Sequence, residues 1–128
     1  WVLTPHPGEA ARLLALSNAE IQADRFTAAR TLQQRFGGVA ILKGYGTVIA
    51  GPDETLLSDY GNPGMASGGM GDVLSGVIGS LLAQHLPALE ATALGVCLHG
   101  AAADIAAADG QRGLAASDLI QEMRALLG

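Results

Sequence analysis

The chain has 128 residues and a formal net charge of −5, from seven Lys and Arg against twelve Asp and Glu. That is the length of one ordinary domain, and an acidic chain without a basic cluster is a poor candidate for binding nucleic acid through its phosphates. Half the residues are apolar, enough for a core, while few aromatics and abundant Ala and Gly favour close-packed helices around a sheet. The single cysteine, Cys97, lies in an apolar helical context. It reads as a buried packing residue and fits a reducing, cytoplasmic setting. No signal peptide is visible, no apolar stretch is expected to approach the span of a bilayer, and no membrane partner is expected.

Trp1–Leu3 reads as a strand stub. Glu9–Leu16 reads as a helix with Leu13, Leu14 and Leu16 on its apolar side. Ser17-Asn18-Ala19-Glu20 has capping-box spacing and opens a longer helix to about Phe36. Its stripe is Ile21, Phe26, Ala29, Leu32 and Phe36, and Gly37-Gly38 ends it. Val39–Leu42 is a continuous apolar run, the pattern of a strand buried on both faces. Thr47–Ala50 and Thr55–Leu57 flank Gly51-Pro52-Asp53 as a hairpin. Three helices follow: Asp72–Gln84, Pro87 to about Ala108, and one capped by Ser117 or Asp118 that runs to Leu127. The segment Ala91–Ala108 is so rich in small residues that it must pack backbone-close to its neighbours. The order of strands and helices predicts an α/β layered domain.

Between the hairpin and the helices lies Gly61-Asn62-Pro63-Gly64-Met65-Ala66-Ser67-Gly68-Gly69-Met70-Gly71-Asp72. Five glycines let backbone N–H groups approach a ligand closely. The helix that follows offers unpaired N–H groups and partial positive charge, which suit a phosphate. An aspartate at that point repels the anion unless it takes a proton from a hydroxyl about to be phosphorylated. The plainer reading is a glycine turn with an aspartate cap, but a cap needs one or two residues, not ten. Neither a Walker-type phosphate loop nor a dinucleotide fingerprint is present.

Ligands of open α/β sheets gather at the carboxyl ends of strands. Thr4-Pro5-His6 follows the first strand, Lys43-Gly44 the second, and the glycine-rich segment the hairpin. One shared pocket is therefore expected. His99 and Asp104 are five residues apart, on different helix faces, and read as structural.

The run Asn62–Gly76 resembles the signature of the ADP/ATP-dependent NAD(P)H-hydrate dehydratases, a branch of the ribokinase-like superfamily. Thr4-Pro5-His6-Pro7-Gly8-Glu9 resembles the family's Thr-Pro-His-Pro-Gly-Glu motif. Lys43-Gly44-Tyr45-Gly46-Thr47 resembles its Lys-x-Gly-x-Thr nucleotide segment, with Gly44 at the second position and Gly46 before the threonine. The similarity continues through Leu98-His99-Gly100-Ala101-Ala102-Ala103-Asp104.

The resemblance implies a ribokinase-like three-layer α/β/α fold, with residues 1–128 as the C-terminal part of a single dehydratase domain. It implies ADP- or ATP-dependent dehydration of hydrated NADH or NADPH, releasing AMP or ADP and phosphate. Asp72 would be the catalytic base and, with His6, would bind the hydrated dinucleotide. Lys43, Gly44, Tyr45, Gly46, Thr47 and Gly71 would bind the nucleotide, and Gly69, Met70 and Gly71 would form an anion hole. Glu9 would act on Mg2+ through water, although His6 stands where related kinases carry asparagine. The expected partners are the nucleotide and the hydrated dinucleotide, further copies of the chain, and an upstream epimerase domain in the parent protein; the isolated chain is expected to be inactive. Two other readings stay open. One is a ribokinase-like kinase for a small hydroxylated metabolite such as a vitamin precursor, and the other is a non-catalytic nucleotide-binding module.

Overall fold

A computed structural model describes all residues, 1–128. The elements are β1 (Val2–Leu3), α1 (Pro7–Leu14), α2 (Asn18–Ala23), α3 (Arg25–Phe36), β2 (Val39–Leu42), β3 (Thr47–Ala50), β4 (Thr55–Ser58), α4 (Met70–Ala83), α5 (Ala88–Ala106) and α6 (Ala116–Leu127), with a short 3-10 turn at Pro63–Met65. The four strands form one sheet in the order β1-β2-β3-β4. β1 runs parallel to β2, and β3 is antiparallel to both β2 and β4. β1, β2 and β4 therefore point the same way, and their carboxyl ends share one edge of the sheet. That edge collects the loops carrying His6, Lys43 and the glycine-rich segment. The expected convergence is borne out by topology.

All four residues of β2 are buried, as their unbroken apolar run predicts. Ala40 and Leu42, with Val48 and Ala50 of β3, face a core made with α1, α2 and α3. Val39, Ile41 and Ile49 face the other side, against Leu74 and Ile78 of α4 and Val96 of α5. α6 packs outside α4 and α5 through Leu119 and Met123. Helices on both faces of a sheet make three layers, which bears out the α/β/α expectation.

Four local expectations are corrected. The helix expected over 17–36 is broken at Asp24 (φ −149°, ψ 87°). There the Asp24 carboxylate accepts hydrogen bonds from Thr27 N at 3.0 Å and Thr27 Oγ1 at 2.7 Å, and so starts a new helix. The apolar side of α1 is Ala10, Ala11 and Leu14, while Leu13 and Leu16 are exposed. Likewise α3 buries Ala28, Ala29 and Leu32 and leaves Phe26 exposed. In these short helices the small residues meet the sheet, because alanine lets a backbone approach it closely. Cys97 is partly rather than fully buried.

α5 has 19 residues and a mean hydropathy of 1.2, so by length and composition it reaches the span of a bilayer, contrary to expectation. Its apolarity has a packing reason. It lies against the sheet, α4 and α6 and buries Ala91, Val96, Ala102 and Ala103. A Cβ on Gly95 would stand 2.7 Å from Ile78 Cγ1, so the α4–α5 approach depends on a missing side chain.

Candidate active site

A cavity of about 1270 Å³ opens along the carboxyl edge of the sheet. Its walls include His6, Lys43–Thr47, Asn62, Met70, Gly71 and His99, drawn from all three loops. Lys43 N donates to Pro5 O at 3.0 Å, which ties the first two loops together. Lys43 then reaches the third: a Cβ built on Gly71 would stand 2.9 Å from Lys43 Nζ. One ammonium therefore sits against the first turn of α4.

That turn is open. Gly69 is the N-cap of α4, in a left-handed conformation (φ 86°) that suits glycine, and no side chain caps the helix. The first amide N–H groups lack intrahelical partners, as in any α-helix. Asp72 lies in the same turn, exposed, and its carboxylate accepts no capping bond. The plainer reading of Asp72 as a cap residue has no hydrogen bond behind it. Asp72 does not itself line the cavity walls; Met70 and Gly71 do, and Gly69 does not.

α5 anchors the glycine-rich segment at both ends. His99, 5% exposed, places Nε2 3.0 Å from Met70 O. Because a carbonyl only accepts, Nε2 carries the proton. Burial holds the imidazole below its ordinary pKa of 6.5, and the nearby Lys43 charge acts in the same direction. Five residues on, Asp104 accepts from Gly61 N at 3.0 Å and Asn62 Nδ2 at 2.9 Å. Between them, a Cβ on Gly100 would overlap Tyr60 Cβ at 2.7 Å, so glycine lets the segment pass directly over the helix. The different faces of His99 and Asp104 thus have a use. One holds the exit of the segment and the other its entry.

His6 and Glu9 form a reciprocal cap on α1. His6 Nδ1 accepts from Gly8 N at 3.0 Å and Glu9 N at 3.2 Å, while Glu9 Oε2 accepts from His6 N at 2.8 Å. Glu9 Oε1 also lies 3.6 Å from His6 Nε2, the nitrogen that carries the ring proton because Nδ1 accepts. Nδ1 is thereby committed as an acceptor, and Nε2, beyond hydrogen-bond range of Glu9, is the ring donor left for other partners. The hydrogen bond from His6 N, with the His6 and Lys43 charges, holds the Glu9 carboxyl below its ordinary pKa of 4.5. Glu9 does not line the cavity.

Sequence reasoning missed Arg25. Its guanidinium lines the cavity and donates to Leu42 O at 3.4 Å and Gly46 O at 3.1 Å. The signal was Asp24-x-x-Thr27, a helix start inside what reads as a continuous helix.

A protein-family model described as NAD(P)H-hydrate dehydratase matches residues 1–125. The chain belongs to the NAD(P)H-hydrate dehydratase family. A Vibrio cholerae bifunctional NAD(P)H-hydrate repair enzyme is 56% identical over 127 residues, covering 98% of this chain and 26% of the Vibrio protein. The Bacillus subtilis ADP/ATP-dependent NAD(P)H-hydrate dehydratase co-crystallised with ATP/Mg2+ superposes with a TM-score of 0.93 at 35% identity, covering 98% of this chain and 46% of the Bacillus chain. Thermotoga maritima ribokinase, at 19% identity and a TM-score of 0.65 over 98% of this chain and 41% of that one, shares the fold. This member of the dehydratase family thus spans about a quarter of its bifunctional relative and just under half of the Bacillus enzyme.

Proposed function

We propose that the chain supplies the nucleotide and phosphoryl-transfer side of an ADP/ATP-dependent dehydration of hydrated NADH or NADPH. The carrying observation is the meeting of Lys43 Nζ with Gly71 at an uncapped helix start whose carboxylate, Asp72, is uncommitted. The cavity, about 1270 Å³, exceeds the roughly 300–1,000 Å³ of ordinary single-ligand pockets. A reaction joining a nucleotide to a dinucleotide needs such room.

In this reading Lys43–Thr47 holds the nucleotide and His6 faces the hydrated nicotinamide ring through Nε2. Asp72 takes the proton of the ring hydroxyl as that oxygen attacks the terminal phosphorus. The nucleotide leaves one phosphate shorter. Met70 and Gly71 N–H groups and Lys43 balance charge on the moving phosphoryl group. The ring C–O bond of the phosphate ester then breaks, phosphate departs with the former hydroxyl oxygen, the neighbouring ring carbon loses its proton to solvent, and that C–H electron pair restores the double bond of NAD(P)H. Phosphorylation turns a poor leaving group into a good one, which is why a dehydration consumes a nucleotide.

No three His, Cys, Asp or Glu side chains cluster as a metal cage. Mg2+ in phosphoryl-transfer sites is usually carried by substrate phosphates with one or two carboxylates. Glu9, kept anionic next to the cavity-lining His6 and Pro7 though not itself in the wall, would reach such an ion only through water. When bound, the ion would neutralise phosphate charge.

The test is Asp72→Asn in the intact protein, assayed by return of reduced-nicotinamide absorbance from hydrated NADH plus ADP or ATP. Turnover should fall by roughly two to four orders of magnitude with fold and nucleotide binding kept. Near-normal turnover would sink the assignment.

A further inference from the structure

Arg25 is the first residue of α3, placed by the break that Asp24 makes between α2 and α3. Its Nη2 donates to Leu42 O and Gly46 O, the two carbonyls that bracket the Lys43–Gly46 turn. Its Nη1 donates to Gln22 Oε1 at 3.2 Å. The guanidinium also lies flat against the turn: a Cβ on Gly44 (φ 148°) would stand 2.9 Å from both Nη1 and Nη2. No carboxylate pairs with it, since Asp24 is engaged by Thr27. Desolvation holds the guanidinium below its ordinary pKa, although it stays charged at any ordinary pH. A partly desolvated cation satisfied only by neutral oxygens, two backbone carbonyls and one side-chain amide, is costly unless its geometry serves something.

We infer that Arg25 is a positioning residue for the nucleotide. Its Nη2 takes the carbonyls at both ends of the Lys43–Gly46 turn while Nη1, in the same rigid plane, is anchored on Gln22, and this fixes the curvature of the turn and so sets where Lys43 meets Gly71. The turn has only five residues from Lys43 to Thr47, with positive φ at Gly44 and Gly46, and its one internal side-chain bond runs from Thr47 Oγ1 to Gly44 O at 3.2 Å. Two glycines in so short a turn leave the backbone many conformations. An outside clamp reduces them before the nucleotide arrives, and preorganisation of this kind raises affinity. A lysine keeps the charge but has no second nitrogen to hold Gln22 while the first takes both carbonyls.

The inference rests on the nucleotide reading of the cavity, so the wild-type intact protein is titrated first with ATP and ADP by calorimetry. Wild-type protein that binds neither overturns that reading, and the inference with it. Given binding, Arg25→Gln and Arg25→Lys are titrated in turn. Both should bind ATP about tenfold or more weakly, the equivalent of about 1.4 kcal/mol. In turnover, the nucleotide KM should rise while the KM for the hydrated dinucleotide moves less than about twofold, a split that general loosening of the fold does not produce. Wild-type affinity in both variants overturns the inference alone. Near-wild-type affinity in Arg25→Lys also overturns it, by showing that charge and not the fork matters. If Arg25→Gln does not fold, Arg25→Lys decides by the same criteria.

Discussion

Gly71→Ala separates stability from function sharply. Gly71 is the second residue of α4 and its φ is not positive, so alanine fits the backbone. By lowering the entropy of the unfolded chain, the substitution should stabilise the fold by about 0.4–1 kcal/mol. For domains near this size, that is a rise of a few degrees in Tm. The new Cβ, however, stands 2.9 Å from Lys43 Nζ, where ordinary contacts begin at 3.4 Å. The ammonium is the tip of a flexible side chain and retreats by about half an ångström or more, at little cost to folding. It retreats from the place where it would meet the phosphoryl group, and displacements of about 1 Å cost catalysis on the order of 10²-fold. The expected result is unchanged or raised Tm with nucleotide affinity and turnover lowered about 10- to 100-fold. Calorimetry measures the first and the hydrated-NADH assay the second. Wild-type turnover in Gly71→Ala would refute a role for the Lys43–Gly71 contact, and a loss of more than about 1 kcal/mol would show that Lys43 is held rigidly.

Three further outcomes follow from the same contacts. His6→Ala removes the α1 cap as well as the proposed substrate contact, so it should destabilise by about 0.5–2 kcal/mol, whereas His6→Asn, an effective N-cap, should keep stability and lose only affinity for the hydrated dinucleotide; urea unfolding and ligand titration distinguish them. His99 is neutral in the fold with its pKa depressed, so the unfolded chain binds its proton first; stability is complete above pH 6.5 and falls as pH drops below that value. His99→Gln, whose amide still donates to Met70 O, should flatten this limb in unfolding measured across pH, and an unchanged limb would assign it to other groups. The 128-residue chain should self-associate in solution, because β1 is a two-residue edge strand and Trp1, Leu57 and Tyr60 are more than half exposed; a mass of one chain by light scattering would count against it.

The sequence by itself determined the strands, the three loops at the carboxyl edge of the sheet and their meeting. Val39–Leu42 is apolar at every position, so only burial on both faces satisfies it, and the loop after it must reach the carboxyl edge of the sheet. The glycine run and Asp72 were legible because a run of glycines is entropically costly unless used, and a carboxylate beside a helix start that suits an anion needs a task. What stayed hidden depends on contacts between segments far apart in the chain. Arg25 reads as one more surface charge of a long helix until the Asp24 break turns it toward carbonyls 17 and 21 residues away. His99 and Asp104 look unrelated at a spacing of five, and only the path of residues 61–70 across α5 gives each a different end to hold. The exposed Leu13, Leu16 and Phe26 make the same point, since periodicity marks a helix face, but alanines win the place against the sheet by letting backbones approach. Local pattern fixes which residues can take part in the site, and packing decides which of them support it.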